Sequence, residues 1–203
     1  MAKSGAILFV LLLSLTIGPS GHALGAVSTE DGAMIDLVSL QKNLISATVE
    51  EGLNWHVGDR AEYQLNAPIG RGTSVQFVRE DVGTAFWMQT DVDMGFLGRQ
   101  KIEVLANKAT GRIERLLVNG NEQTPPDPND VEIIDTREER IRVPAGEFQS
   151  TYRKIKNKKD NSIQEGWSNA QMVPMGGMLK AMGNSQIGTV TQLLTRFSFA
   201  QGN

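Results

Sequence analysis

Cysteine is absent from this sequence of 203 residues. Small exported domains often rely on disulfides to reinforce a modest core, so this chain has to fold without covalent cross-links. The absence of thiols also excludes a thiol nucleophile, an iron–sulfur cluster, a Cys-based zinc site and a lipid-modified cysteine. We therefore expect no cofactor, and a protein that is free in its compartment instead of lipid-anchored.

Histidine is almost as scarce, because the chain contains His22 and His56 alone. A Ser-His-Asp triad would need His56, and the chain has no Gly-x-Ser-x-Gly elbow to present a serine. We therefore predict no catalytic residue and no enzyme activity. A hydrolase that uses paired carboxylates remains a less favoured alternative, since the separation of such a pair depends on the fold.

Strong positive charge is also lacking, with 20 Lys and Arg against 23 Asp and Glu and a formal net charge of -3. Nucleic-acid binding requires a clustered positive field, so we expect no nucleic-acid partner.

Long hydrophobic runs are missing except at the start of the chain. Residues 6–13 are continuously apolar, follow Lys3 and precede a Gly-Pro-Ser-Gly break and small residues at Ala23 and Gly25. This pattern is typical of a secretory signal peptide over residues 1–25. The run is shorter than a membrane span, so the mature chain should have no transmembrane segment. We expect residues 26–203 to form one domain in the periplasm, with an extracellular location as the alternative.

Two kinds of periodicity follow the leader. Apolar residues at spacings of three and four predict an amphipathic helix near residues 34–50. From Trp55 onward the apolar period is two, and glycine- and asparagine-rich turns separate the runs. This pattern indicates antiparallel strands in a meander. The predicted fold is mainly β: a strongly curved antiparallel sheet or half-barrel of about eight to eleven strands that wraps one or two helices.

An ordered set of motifs lies in the second half of the chain. Residues 143–148 read Val-Pro-Ala-Gly-Glu-Phe, Trp167 follows, and residues 173–177 read Val-Pro-Met-Gly-Gly. This set resembles uncharacterised secreted bacterial domains related to the lipoprotein-localisation-factor (LolA/LolB-like) fold. That resemblance implies a curved sheet that wraps a helix and can shelter acyl chains. The same residues also have a purely structural interpretation, since Pro144 and Gly146 bend the chain and return Phe148 to the core.

Apolar residues of one strand parity are the candidates for the concave face of the sheet. They are Phe77, Phe86, Met88, Val92, Met94, Ile102 and Val104. A second set of candidates is methionine-rich, with Met172, Met175, Met178 and Met182 at helical spacings of three, three and four. Methionine fills core gaps, forms adaptable binding surfaces or binds Cu(I), and the pattern alone does not choose among these roles. We expect an irregular or helical segment over residues 175–182, acting as a movable lid.

These observations favour a non-catalytic binding protein of the cell envelope for a lipid, an acylated protein or another hydrophobic ligand. The predicted ligand-binding residues are Phe77, Phe86, Met88, Val92, Met94, Met175, Met178 and Met182. The alternative is a structural or protein-partner module of the envelope with a filled core. A copper-binding methionine site is less favoured, and we predict no metal site.

Overall fold

The computed structural model describes residues 53–185 and 188–200 of the chain. The strands are β1 (Arg60–Ala67), β2 (Gly70–Asp81), β3 (Ala85–Asp93), β4 (Arg99–Asn107), β5 (Ile113–Val118), β6 (Asn121–Gln123), β7 (Val131–Val143), β8 (Gly146–Asn157), β9 (Ile163–Ser168), β10 (Met178–Ser185) and β11 (Gly188–Ser198). Two short 3-10 turns span Gly95–Leu97 and Pro128–Asp130. The signal peptide predicted over 1–25 and the helix predicted near 34–50 lie outside the described residues. In the part that the structure describes, no helix has the length and apolar character needed to cross a membrane.

All eleven strands belong to one antiparallel sheet in the order β6-β5-β4-β3-β2-β1-β11-β10-β9-β8-β7. Two meanders meet where the first strand pairs with the last, with Tyr63 of β1 opposite Leu194 of β11. The mainly β class and the number of strands are thereby confirmed.

The connection between β6 and β7 shows that the sheet is strongly curved. These strands are the two edges of the sheet, yet only residues 124–130 join them. Ten gaps of about 4.8 Å would place the edges of a flat sheet about 48 Å apart. Eight extended steps from Gln123 to Val131 reach at most about 29 Å. The sheet must therefore bend until its edges approach each other, as the predicted half-barrel requires.

Burial distinguishes the two faces of the sheet at β1. Along β1, Ala61, Tyr63 and Leu65 are at most 2% exposed, whereas Glu62 and Gln64 between them are partly exposed. A curved sheet buries its concave face, so we call the face that carries Tyr63 the concave face and the other the convex face. Cross-strand partners share a face, and the registers extend this assignment from strand to strand.

The methionine-rich segment differs from the prediction. Residues 178–182 begin β10, which lies between β9 and β11 inside the sheet. The prediction of an irregular or helical lid is therefore wrong for this half, since opening it would break two strand pairings. Met172 is 51% exposed and Met175 is buried, so these side chains do not form one helical stripe.

The two motifs of the second half are turns that pack the same end of the sheet. The β7–β8 turn reaches across to β11, where the amide of Ala145 donates to the carbonyl of Leu194. The β9–β10 connection contributes buried Val173 and Met175 to the core. Gly177 has a φ of 74°, and a Cβ there would lie 2.2 Å from the carbonyl carbon of Asn169. Packing and backbone geometry explain this glycine.

Trp167 belongs to a row of paired side chains on the convex face. The register aligns Arg137, Tyr152, Trp167 and Lys180 across β7 to β10. The aromatic rings lie 5.0 Å apart, with Arg137 3.7 Å from the Tyr152 ring centre and Lys180 4.3 Å from that of Trp167. Glu139 accepts the indole N–H. Arg137 and Lys180 thus cover the two aromatic rings through cation–π contacts.

Candidate functional site

The concave face brings together most of the predicted β3 and β4 residues. Phe86, Met88, Val92 and Met94 are all at most 4% exposed. Ile102 and Val104 lie opposite Thr90 and Met88 and are 3% exposed each. The placement of these six side chains on one apolar face is as predicted. Whether they bind a ligand stays a prediction.

Met94 also explains a glycine in the neighbouring strand. A Cβ on Gly72 would lie 2.5 Å from the sulfur of Met94. The thioether therefore lies directly over the backbone of β2. Gly72 is inside β2, and the β1–β2 turn lies at Pro68 and Ile69.

Phe77 does not belong to this set, and its prediction as a concave-face residue is wrong. It pairs with Gln89 of β3 and with Arg60 of β1, and its side chain is only partly buried on the convex face. The inward positions of β2 are Ser74, Gln76 and Val78. The register follows from the tight β1–β2 turn, and a shift of one residue would exchange the faces.

The methionines after β9 come from the β9–β10 connection and from β10. Met175 is 6% exposed in the core and has a left-handed φ of 54°. Met178 and Met182 are partly buried in β10, with Met182 opposite Glu165 and Thr191 on the convex face. Met175 belongs to the same buried cluster as the β3 residues, and Met178 and Met182 pack against that cluster. Whether these three side chains bind a ligand stays a prediction.

Polar side chains share the concave face with the apolar ones, and the sequence analysis missed them. Tyr63 lies opposite Ser74, which lies opposite Val92, which lies opposite Gln100. Thr90 lies in the adjacent row. All four polar residues are at most 5% exposed. The sequence could have indicated the inward position of Thr90, because Thr90 has the same strand parity as Met88 and Val92.

Six buried oxygen atoms in the described part of the chain have no hydrogen-bond partner. They are Tyr63 Oη, Ser74 Oγ, Thr90 Oγ1, Gln100 Oε1, Gln164 Oε1 and Gln192 Oε1. Each unsatisfied buried polar group costs about 1–3 kcal/mol, and native cores contain few of them. Burial also raises the pKa of the Tyr63 hydroxyl, so the group stays a neutral donor and acceptor.

The convex face carries charged side chains that pair with one another. Glu103 accepts from Arg79 and lies 2.9 Å from the ammonium of Lys101. These hydrogen bonds, with Lys101 the larger effect, hold the pKa of Glu103 below its usual value. Arg79 also lies over the ring of Trp87, 5.3 Å from its centre. Such cross-strand pairs solvate the outer surface of the sheet.

His56, the sole histidine of the described residues, lies next to the buried carboxylate of Asp59. Asp59 is 1% exposed and accepts from the backbone N–H of His56 at 2.8 Å and of Ala200 at 2.9 Å. His56 Nδ1 lies 3.9 Å from the same carboxylate. The carboxylate thereby joins the start of β1 to the segment after β11. This arrangement is a structural cap.

A cleft of about 720 Å³ lies between the β4–β5 turn and the β6–β7 connection. Its lining comes from the β4–β5 turn and the proline-rich β6–β7 connection: Thr110, Gly111, Arg112, Ile113, Thr124, Pro125, Pro126, Asp127, Pro128 and Asn129. Asp127 accepts from the backbone and the side chain of Asn129, which lowers its pKa. These loop residues are distinct from the concave face. Among the described residues, no cluster of three or more His, Asp or Glu is arranged to hold a metal ion.

Among known proteins, this chain resembles solved structures in fold but matches no curated protein by sequence. No family model matches the sequence. No curated protein matches it either. The neighbours among solved structures include the hypothetical protein CT021 from Chlamydia trachomatis, with a TM-score of 0.49 and 10% identity. That alignment covers 80% of this chain and 94% of the other.

Two further neighbours come from other bacteria. The MucA/MucB complex of Pseudomonas aeruginosa matches with a TM-score of 0.42 and 13% identity, over 83% of this chain and 58% of that chain. A Bacteroides fragilis protein described as exported, with a YmcC-like fold, matches with a TM-score of 0.41 and 11% identity. That match covers 73% of this chain and 99% of the other. At these scores the neighbours support no argument about ligand or partner, and none of the three is described as a lipoprotein-localisation factor.

Proposed function

We propose that this chain is an exported, non-catalytic binding protein of the cell envelope whose concave sheet face holds a hydrophobic ligand. The observation that carries the proposal is the continuous apolar layer of side chains on the concave face of β3 and β4. Met88 and Val104 lie opposite each other, as do Phe86 and Ala106, and all four side chains are at most 4% exposed. Apolar, concave surfaces with a few polar groups are the usual setting of small-molecule sites.

A fluorescent apolar dye tests this proposal without knowledge of the natural ligand. N-phenyl-1-naphthylamine is neutral and brightens in apolar surroundings, so the purified protein should enhance its emission saturably. Val92→Phe would add a ring to the concave face and should weaken dye binding at least fivefold. The matched control is Asp91→Phe, which places the same ring on the convex face of the same strand.

Circular dichroism establishes whether each variant is folded, and Val92→Leu is a milder substitution should Val92→Phe fail to fold. Absence of saturable dye binding to the wild-type protein would refute the proposal. Equal binding by folded Val92 and Asp91 variants would refute the location of the site.

A protein-partner module is the second candidate function, and one observation favours it. β7 is an edge strand of 13 residues that pairs with β8 alone in the described part of the chain. Ile133 and Ile134 on this edge are each 45% exposed. An open edge offers backbone hydrogen bonds to an extended segment of another protein.

Site-specific crosslinking in an exporting host tests this second candidate. A photoreactive benzoylphenylalanine at Ile134 should give a discrete crosslinked species, whereas the same residue at Asp91 on the convex face should not. Identical patterns from both positions would count against a partner at the β7 edge.

A further inference from the structure

Four of the six residues with unpartnered buried oxygen atoms lie on β1 to β4 and form one patch on the concave face. Tyr63, Ser74 and Gln100 lie in a single cross-strand row, and Thr90 lies in the next row. Directly opposed side chains in a sheet have Cβ atoms about 5 Å apart, and diagonal neighbours lie at about 7–8 Å. The row therefore crosses four strands within the length of one small molecule.

The hydrogen-bonding capacity of these oxygen atoms indicates which ligand group would pair with them. An amide oxygen such as Gln100 Oε1 only accepts hydrogen bonds, whereas the hydroxyls of Tyr63, Ser74 and Thr90 donate or accept. The buried residues of the described chain include no Lys and no Arg. A carboxylate or phosphate would therefore enter an apolar face without a buried cation to balance its charge. A neutral group with N–H or O–H donors fits these oxygen atoms.

The surroundings of the patch fit an acyl chain. Val92 lies within the polar row, between Ser74 and Gln100. Met88 lies two residues before Thr90 on β3, and Ile102 lies opposite Thr90 on β4, so both continue the apolar face next to it. A ligand that places a polar group on the row would thus lie with its chain along apolar side chains.

We propose that Tyr63, Ser74, Thr90 and Gln100 form a hydrogen-bonding subsite for the neutral head of an acyl amphiphile, such as an acyl amide. This inference rests on the proposed function, because it assigns the polar part of the same concave-face ligand. It distinguishes a neutral head from the anionic head of a free fatty acid.

The experiment compares two ligands of equal chain length. Oleamide and oleate are titrated at pH 8 against the complex of the protein with N-phenyl-1-naphthylamine, and displacement of the dye reports affinity. The wild-type protein should bind oleamide at least tenfold more tightly than oleate. Ser74→Ala combined with Thr90→Val removes two hydroxyls at nearly constant shape, and should remove most of that preference.

Thermal stability separates this role from a structural one. The hydroxyls have no partner in the protein, so their removal should leave the melting temperature unchanged or raise it. Thr73→Val on the exposed side of β2 is the matched control and should leave the preference intact. Equal affinity of wild-type protein for both ligands, or a variant that melts lower and keeps the preference, would overturn the subsite. Failure of the dye to bind at all would instead refute the proposed function.

Discussion

Gly177 lies where the β9–β10 connection turns back under the sheet, and its replacement by alanine tests the packing of this region. Its φ of 74° is left-handed, and an added Cβ would lie 2.2 to 2.3 Å from three backbone atoms of Asn169 and Ala170. The left-handed conformation costs a non-glycine residue about 1–2 kcal/mol. Forced displacement of packed atoms adds about 1–3 kcal/mol.

The displaced backbone also holds the connection in place. The amide of Asn169 donates to the carbonyl of Gly177 at 2.8 Å, and its side chain accepts from the amides of Gln171 and Met172. We therefore expect Gly177→Ala to lower the free energy of unfolding by about 3 kcal/mol. For a domain of this size the melting temperature should fall by about 6–12 °C.

Gly83→Ala is the matched control for this prediction. Gly83 has a similar φ of 84°, but a Cβ there would meet nothing within 4 Å. Its replacement should cost only the backbone term, about 1 kcal/mol, or about 2–4 °C in melting temperature. Thermal melts followed by circular dichroism compare the two variants. Equal losses for both would refute the close packing of Gly177 against Asn169.

Two further predictions concern buried and paired carboxylates. Asp59→Ala removes the acceptor of two backbone amides and should cost about 2–3 kcal/mol by chemical denaturation, whereas His56→Ala keeps its own amide and should cost little. An Asp59 variant as stable as the His56 variant would argue against the cap. Hydrogen bonds from the indole of Trp167 and then from Arg137 lower the pKa of Glu139. The ionised Glu139 therefore stabilises the folded protein fully above the unfolded pKa of about 4.3, and this contribution is lost as pH falls through the folded pKa. Melting temperatures at pH 7 and pH 4 should therefore differ less in Glu139→Gln than in the wild type, and equal differences would contradict the shift.

Strand alternation predicts much of the sheet because one face is buried along most strands. Ala61, Tyr63 and Leu65 are inward, as their apolar alternation indicates. The predicted meander is also confirmed, since consecutive strands pair from β1 to β6 and from β7 to β11.

The same logic fails for β2, where Val75 and Phe77 are the larger apolar residues. Their alternation points to the convex face, because the concave positions Ser74 and Gln76 are polar. Hydrophobicity decides the register of a strand only where the buried face is the more apolar one. The polar patch is therefore both the reason for the error and the feature that alternation could not reveal.

The β10 strand was missed for a different reason. Met178–Ser185 contains Lys180 and Gly183, and its methionine spacing imitates a helix. Pairing with β9 and β11 overrides that local pattern, and such long-range pairing is not visible from spacing.

Native mass spectrometry of the protein purified from a host that exports it tests the central claim most directly. The account predicts a population with added mass that corresponds to a neutral acyl compound and is released on unfolding. Val92→Phe should lose this population while Asp91→Phe retains it. A wild-type protein that is always free of bound acyl compounds, in preparations where it is folded, would contradict the account.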